Sequence, residues 1–261
     1  MPEGLEAELY RRAADAAVGR EIASVVVDER QQQADELPPA LVGASIVGTR
    51  RRGKLLLLDL DERADAATLG LHFGMTGRLI VDGAAAIDKL EYSSGRDDAA
   101  WDRFVMTFDD GGSMRVNDPR RWARFELDPD EDRLGPDFVA VDADHLEGAF
   151  ARRRIALKAV LLDQRVVAGY GNMCVDEILW QAALSPIVPA RDLDRVAVDR
   201  LVAAGREHLP AMLGRGGSHR GTIDPAVRAE LPMCPRDGAP LRRDEVGGRT
   251  TIWCPVHQGT S

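Results

Sequence analysis

The chain has 261 residues, is 44% hydrophobic and 30% charged, and carries a formal net charge of -9. That length supplies two medium domains or one domain with appendages. No apolar run approaches the ~20 residues of a membrane span, and the acid-bearing N-terminus has no secretory core.

The cysteines are Cys174, Cys234 and Cys254. An odd number without an export signal argues against a disulfide framework and for a reducing, cytoplasmic setting. A net negative chain is poorly suited to nucleic acid as a whole, but distribution matters more than the sum. Acids concentrate in surface-like stretches, 28–36, 59–65, 128–132 and 142–147. Bases cluster in 50–54, at Arg120-Arg121, in 152–154 and in 215–220. These clusters read either as solvated basic faces or as anion-binding ones.

Apolar spacing predicts a helix over 5–18, with Leu5, Leu9, Ala13, Ala14 and Ala17 on one face. Alternating or β-branched runs then predict strands at 24–27, 44–51, 54–60, 68–73, 78–81, 104–108, 113–116 and 123–127. Turn signals such as Asp82-Gly83 and Gly111-Gly112 separate them. About eight such strands suggest an antiparallel sandwich or barrel. A Pro- and Gly-bearing linker is expected over 129–137. The period then becomes helical over 144–152, 156–162, 172–183 and 194–213, with Asp192 and Asp194 as caps near the last start. Residues 229–261 turn Gly- and Pro-rich and carry two of the cysteines. The expected class is α+β multidomain: a β-sandwich over 1–128, a helical domain over 138–228 and a small finger over 229–261.

The chain opens Met1-Pro2-Glu3. A small second residue permits removal of the initiator Met, which would give Pro2 a free secondary amine. Such an amine condenses with an aldehyde or a sugar C1′, and Glu3 is placed to move the protons. The tripeptide alone is common and decides nothing. Five further motifs follow in order: Arg51-Arg52-Gly53-Lys54 between two strands, His72 to Leu79, Asn117-Asp118-Pro119-Arg120-Arg121-Trp122, Gly169-Tyr170-Gly171-Asn172 opening a helix, and Arg249-Thr250-Thr251 before Cys254.

This ordered set resembles the formamidopyrimidine-DNA glycosylase and endonuclease VIII family over nearly the whole chain. The resemblance implies a β-sandwich, a helix–two-turn–helix domain and a zinc or zincless β-hairpin finger. It implies base-excision repair by a bifunctional DNA glycosylase and abasic-site lyase, acting as a monomer on double-stranded DNA with damaged bases or abasic sites. Pro2 would be the nucleophile, Glu3 the acid/base, and Lys54 a contact to the phosphate beside the lesion. Asn172 and Arg249 would hold phosphate, although Asn172 reads equally as a helix N-cap. Met75, Arg120 and Trp122 would fill the gap left by an extruded base, with Trp122 in place of the usual Phe. Met75 reads alternatively as core packing. Glu6 and Glu177 match supporting acids; their bland readings are an exposed helix residue and a solvated mid-helix acid.

The finger departs from the family pattern. Cys234-x2-Asp237 and Cys254-x2-His257 keep a zinc-ligand spacing, but Asp and His stand where Cys is expected. The rival is a zincless finger held by Leu241, Ile252 and Trp253. Cys174, among apolar helix neighbours, reads as core, and no organic cofactor is expected. The Gly216-Gly217-Ser218 motif is followed only by 222–233 before Cys234, so the loop that caps a flipped 8-oxoguanine in the family is expected to be short. Such a pocket suits oxidised pyrimidines, ring-opened purines, bulky lesions or abasic sites. The alternative function is a catalytically silent binder of damaged DNA. A zinc-finger transcription factor lacks its base-reading helix here.

Overall fold

Alternation governs the first half of the chain. In the computed structural model, which describes residues 2–88, 90, 95–230 and 233–259, contacts divide the chain into two units, Met1–Glu131 and Asp132–Ser261. Unit 1 begins with α1 (Gly4–Ala14). It continues through β1 (Ile22–Val27), α2 (Leu37–Leu41), β2 (Ile46–Arg52), β3 (Leu55–Leu60), β4 (Thr68–His72), β5 (Arg78–Val81), β6 (Ala84–Ala85), β7 (Asp102–Phe108), β8 (Ser113–Asn117) and β9 (Arg124–Leu127).

These strands form two antiparallel sheets, ordered β1-β7-β8-β5-β6 and β2-β3-β4-β9. Phe104, Met106 and Phe108 of β7 share one face and meet Leu56, Leu58, Leu69, Leu71 and Phe125 of the other sheet in a common core. The Phe104 and Phe125 rings, 5.0 Å apart, bridge the layers. β3 is apolar on both faces: Leu57, between Leu56 and Leu58, is buried but lies outside that core. The architecture is therefore the expected sandwich.

Two sequence readings are corrected in this unit. The acidic stretch 28–36 is not wholly surface: Asp28 pairs with Arg103 at 2.9 Å, their side chains 8% and 5% exposed. It also leads into the five-residue α2, started by Pro38 and Pro39 in the first turn, which buries Leu37 and Leu41. The basic cluster 50–54 is partly neutralised, since Arg50 meets Asp59 and Glu131, each at 2.8 Å, and Arg51 lies 3.5 Å from Glu8.

Unit 2 holds α3 (Ala143–Phe150), α4 (Leu157–Leu161), α5 (Asn172–Gln181), α6 (Arg195–Gly214), α7 (Pro225–Glu230) and the hairpin β10 (Arg242–Val246) and β11 (Arg249–Trp253). The expected helices differ only at their ends. Asp194 caps α6 by accepting the Ala197 N–H at 2.8 Å, whereas Asp192 closes a separate 3-10 turn, Ala190–Asp192. The short α7 was not expected; Asp224 accepts the Val227 N–H at 2.9 Å and Pro225 starts the turn. Trp180, Ile223, Cys234, Leu241, Ile252 and Cys254 form the apolar core under the hairpin. Among the described residues, no helix is long and apolar enough to cross a membrane.

Candidate active site and DNA-contact residues

Chain ends usually fray. Here residues 2–7 are all buried, and α1 starts at the fourth residue. Glu3 is its N-cap, in extended conformation, and Glu6 Oε2 accepts the Glu3 N–H at 2.8 Å. That bond is one half of a capping box, so Glu6 fixes the backbone beside Pro2 and is not an exposed helix acid. Further along α1, the Tyr10 hydroxyl donates to the Gly77 carbonyl at 3.0 Å, and its ring lies 4.2 Å from that of Phe73. Burial raises the Tyr10 hydroxyl well above its usual pKa, which keeps it a neutral donor. The N-terminal helix is thus tied to the loop that carries Met75.

A second loop interlocks with the first. Asp118, fully buried, accepts the Thr76 hydroxyl and the N–H groups of Arg120 at 3.1 Å, Trp122 at 2.7 Å and Ala123 at 2.8 Å. Gly74, at φ +56, sits so close that a Cβ would lie 2.5 Å from the Trp122 carbonyl carbon. Only glycine meets both demands. The outcome is that the three gap-filling candidates come together. Arg120 Nη1 approaches Met75 Sδ at 2.9 Å, and the Arg120 guanidinium stands 5.8 Å from the Trp122 ring centroid. Trp122 is 53% exposed. Met75 is half-buried and lies outside the sandwich core, so it touches Arg120 instead of packing inward. An exposed Trp flanked by a guanidinium and a thioether offers a stacking surface. Sequence reasoning missed Asp118, although Asp-Pro in Asn117-Asp118-Pro119 is a turn signal whose carboxylate serves nearby N–H groups.

Lys54 lies in the two-residue turn between β2 and β3, after Gly53 at φ +58. Leu55, next to it, pairs with His72 on β4. His72 Nδ1 accepts the Gly74 N–H at 3.2 Å, linking this turn to the Met75 loop. Burial, aided by the charges of Lys54 and Arg124, lowers the His72 pKa to about 4, so the ring is neutral near pH 7.

In unit 2 the structure corrects Asn172. It is the first residue of α5, not the cap, which is Gly171. Its Nδ2 donates to the Thr250 carbonyl at 2.9 Å, one residue past Arg249. Its Oδ1 is buried and has no hydrogen-bond partner among the described residues. Arg249 follows the left-handed Gly247-Gly248 turn and is exposed. Sequence reading overlooked what lies behind it. Lys158 Nζ, wholly buried, contacts Asp176 Oδ1 at 2.6 Å, Thr251 Oγ1 at 2.7 Å and the Thr250 carbonyl at 3.1 Å. Burial pushes the Asp176 carboxyl up, while Lys158 and Arg228 pull it down. The only trace in the sequence is a Lys inside an apolar helical run. Glu177 is likewise no solvated acid: it is 3% exposed, and its carboxylate accepts the Ile223 N–H and Gln181 Nε2, each at 2.9 Å. Glu177 therefore anchors the segment after α6.

Three of the four expected metal ligands converge. Donor atoms of Cys234, Asp237 and Cys254 lie within 4.8 Å of one another. His257 stands outside that set, with Nε2 2.8 Å from the Trp180 carbonyl and its ring 5.2 Å from that of Trp180. A carbonyl only accepts, so Nε2 carries a hydrogen, and Nδ1 is the nitrogen left to offer a metal. Burial pushes the Cys254 thiol up to about 11. Leu241, Ile252 and Trp253 are buried, and so is Cys174, as a core residue.

Unit 1 is thus a sandwich that buries residues 2–7, and unit 2 a set of helices carrying a β-hairpin. The formamidopyrimidine-DNA glycosylase N-terminal domain matches residues 1–125, and the H2TH domain of the same enzymes matches 134–222. The Paracoccus denitrificans formamidopyrimidine-DNA glycosylase is 33% identical, covering 99% of this chain and 100% of that one. The Halorhodospira halophila enzyme is 35% identical, covering 98% of each. The chain belongs to the formamidopyrimidine-DNA glycosylase family. Among solved structures, Lactococcus lactis Fpg with DNA containing N7-benzyl-Fapy-dG matches at a TM-score of 0.81 and 26% identity, covering 99% of this chain and 100% of that one. The same protein has also been solved with DNA containing an abasic site and with DNA containing an oxidised pyrimidine.

Proposed function

We propose that the chain removes damaged bases from double-stranded DNA and cuts the strand at the resulting abasic site. With Met1 removed, the Pro2 nitrogen attacks C1′ and the bond from C1′ to the base breaks. Glu3 protonates the sugar ring oxygen as the ring opens, leaving an iminium between Pro2 and C1′. Loss of a C2′ proton expels the 3′ phosphate, and a second elimination expels the 5′ phosphate. Water then releases Pro2. Lys54, Asn172 and Arg249 contact backbone phosphates, while Met75, Arg120 and Trp122 occupy the space left by the extruded base. The observation that carries this reading is the Glu3–Glu6 capping box, which fixes the backbone beside Pro2 in a buried place. The test is a set of duplexes carrying 8-oxoguanine, ring-opened guanine, thymine glycol, dihydrouracil or an abasic site, each incubated with borohydride. A covalent adduct on the abasic duplex, with faster cleavage of ring-opened guanine and oxidised pyrimidines than of 8-oxoguanine, is expected. Tight binding with no adduct establishes the silent binder instead.

The residue set of the finger supports a structural zinc ion. Two thiols and a carboxylate already converge, and His257 has its Nε2–H held by the Trp180 carbonyl, the outer contact that orients metal-binding imidazoles. Cys234, Asp237, Cys254 and His257 would hold the ion, which would brace the hairpin and take no part in the chemistry. Elemental analysis of the purified chain is expected to give about one zinc per chain, lost in Cys254→Ser together with thermal stability. A metal-free chain of full stability leaves the apolar packing of Leu241, Ile252 and Trp253 as the brace.

A further inference from the structure

We propose that Arg228 is a positioning residue for Asn172 and Arg249, a role that rests on the phosphate contacts assigned to those two side chains above. Arg228 lies on α7, in the segment that follows α6. That segment is bound to α5 at two consecutive acids. Glu177 takes the Ile223 N–H at 2.9 Å, and Gly221 sits so close that a Cβ would lie 2.6 Å from Glu177 Oε2. Asp176 Oδ2 takes Arg228 Nη1 at 2.6 Å. The other arm of the same guanidinium, Nη2, donates to the Thr250 carbonyl at 3.1 Å, and the Arg228 carbonyl accepts a hydrogen bond from Arg243 of β10. One side chain therefore joins α7, α5 and the hairpin.

The Thr250 carbonyl is where this matters. It accepts Lys158 Nζ, Asn172 Nδ2 and Arg228 Nη2, from three helices, immediately after Arg249 in the chain. A single peptide group, one residue past Arg249, thus ties Asn172 to the strand that begins with Arg249. Arg228 is only 7% exposed and does not itself offer a phosphate contact. Charge pairing does not explain its presence, since Lys158 already neutralises Asp176. Its planar fork adds a second link in fixed geometry: Nη1 takes Asp176 Oδ2 while Nη2 reaches the Thr250 carbonyl, alongside Lys158 on the same two groups. The two cations against one carboxylate also leave surplus positive charge behind an anion-binding pair.

A double-mutant cycle on the full chain tests this. Binding to a duplex holding a stable abasic-site analogue is measured across salt concentrations for the native chain, Arg249→Gln, Arg228→Gln and the double variant. Arg249→Gln is expected to lower the slope of log affinity against log salt by about 0.9, as loss of one phosphate contact requires. Arg228→Gln is expected to weaken binding about tenfold. The double variant should be weaker than Arg249→Gln by clearly less than the roughly tenfold loss of Arg228→Gln alone, because part of that loss runs through Arg249 and only the rest through Asn172. The salt slope of Arg228→Gln should also fall toward that of Arg249→Gln, which a loss of stability alone would not produce. Additive losses, or native binding by Arg228→Gln, overturn the proposal. If Arg228→Gln does not fold, Arg228→Lys, which keeps the Asp176 arm, is read in the same cycle with the same criteria. An unchanged salt slope in Arg249→Gln overturns the phosphate assignment itself, an outcome distinguishable because it appears in the variant with Arg228 intact.

Discussion

Pro2→Gly is expected to lose borohydride-trapped adduct and base release by on the order of 10²-fold or more, with the fold unchanged. Glycine still presents an amine, so the loss measures what the pyrrolidine adds. A secondary amine yields an iminium that is charged at every pH, whereas the glycine imine must first be protonated. The ring also restricts the backbone at the start of a buried segment, where Glu6 already holds the next N–H at 2.8 Å. A chain that retains Met1 moves the amine one residue away and is expected to give no adduct at all. Intact mass spectrometry establishes which N-terminus is present. Glu3→Gln keeps the helix cap but not the proton transfers, and should cut base release by roughly 10²–10⁴-fold. Native trapping by Pro2→Gly with Met1 removed would assign the chemistry to a different amine, with Lys54 the first to examine.

Asp118→Ala is expected to be the most destabilising substitution away from the N-terminus, by on the order of 3–5 kcal/mol. Its carboxylate serves one hydroxyl and three backbone N–H groups in a fully buried place. Alanine leaves those donors without an acceptor and without water, and each stranded donor costs about 1–3 kcal/mol. The damage also reaches function, because the same bonds hold Trp122 and Arg120 against the Met75 loop. Affinity for an abasic duplex should therefore fall together with the melting temperature. Trp122→Ala separates the two effects. Its side chain is half exposed, so stability should change by no more than about 0.5 kcal/mol while affinity for the lesion drops. An Asp118→Ala chain that melts like the native one would mean that water or a shifted loop satisfies those donors, and the account of the interlocked loops would fail.

Several assignments required only the sequence. The sandwich followed from the alternation of strands such as β7 and β8, and the helices of unit 2 from their period, because both patterns are local. Motif order named the family. Asp194 could be read as a cap because its partner, Ala197, is three residues away. The short helices α2 and α7 lay within reach too, since Pro38 and Asp224-Pro225 are local starts.

What the sequence could not give is which charges are surface and which are structure. Asp28, Glu6, Asp176, Glu177, Lys158 and Arg228 look like ordinary solvated side chains in a list of residues. Their partners lie between 3 and 93 positions away: Glu3 for Glu6, Arg103 for Asp28, Thr251 for Lys158. A buried charge is tolerated only where a partner and donors meet it, and that meeting is a property of packing. The same holds for the wedge. Sequence order placed Met75, Arg120 and Trp122 in two loops, and the tertiary structure alone brought those loops together, through Asp118 and the missing Cβ of Gly74. The N-terminal chemistry was legible because it depends on residue type. The scaffold that aims it was not, because it depends on contacts between residues far apart in the chain.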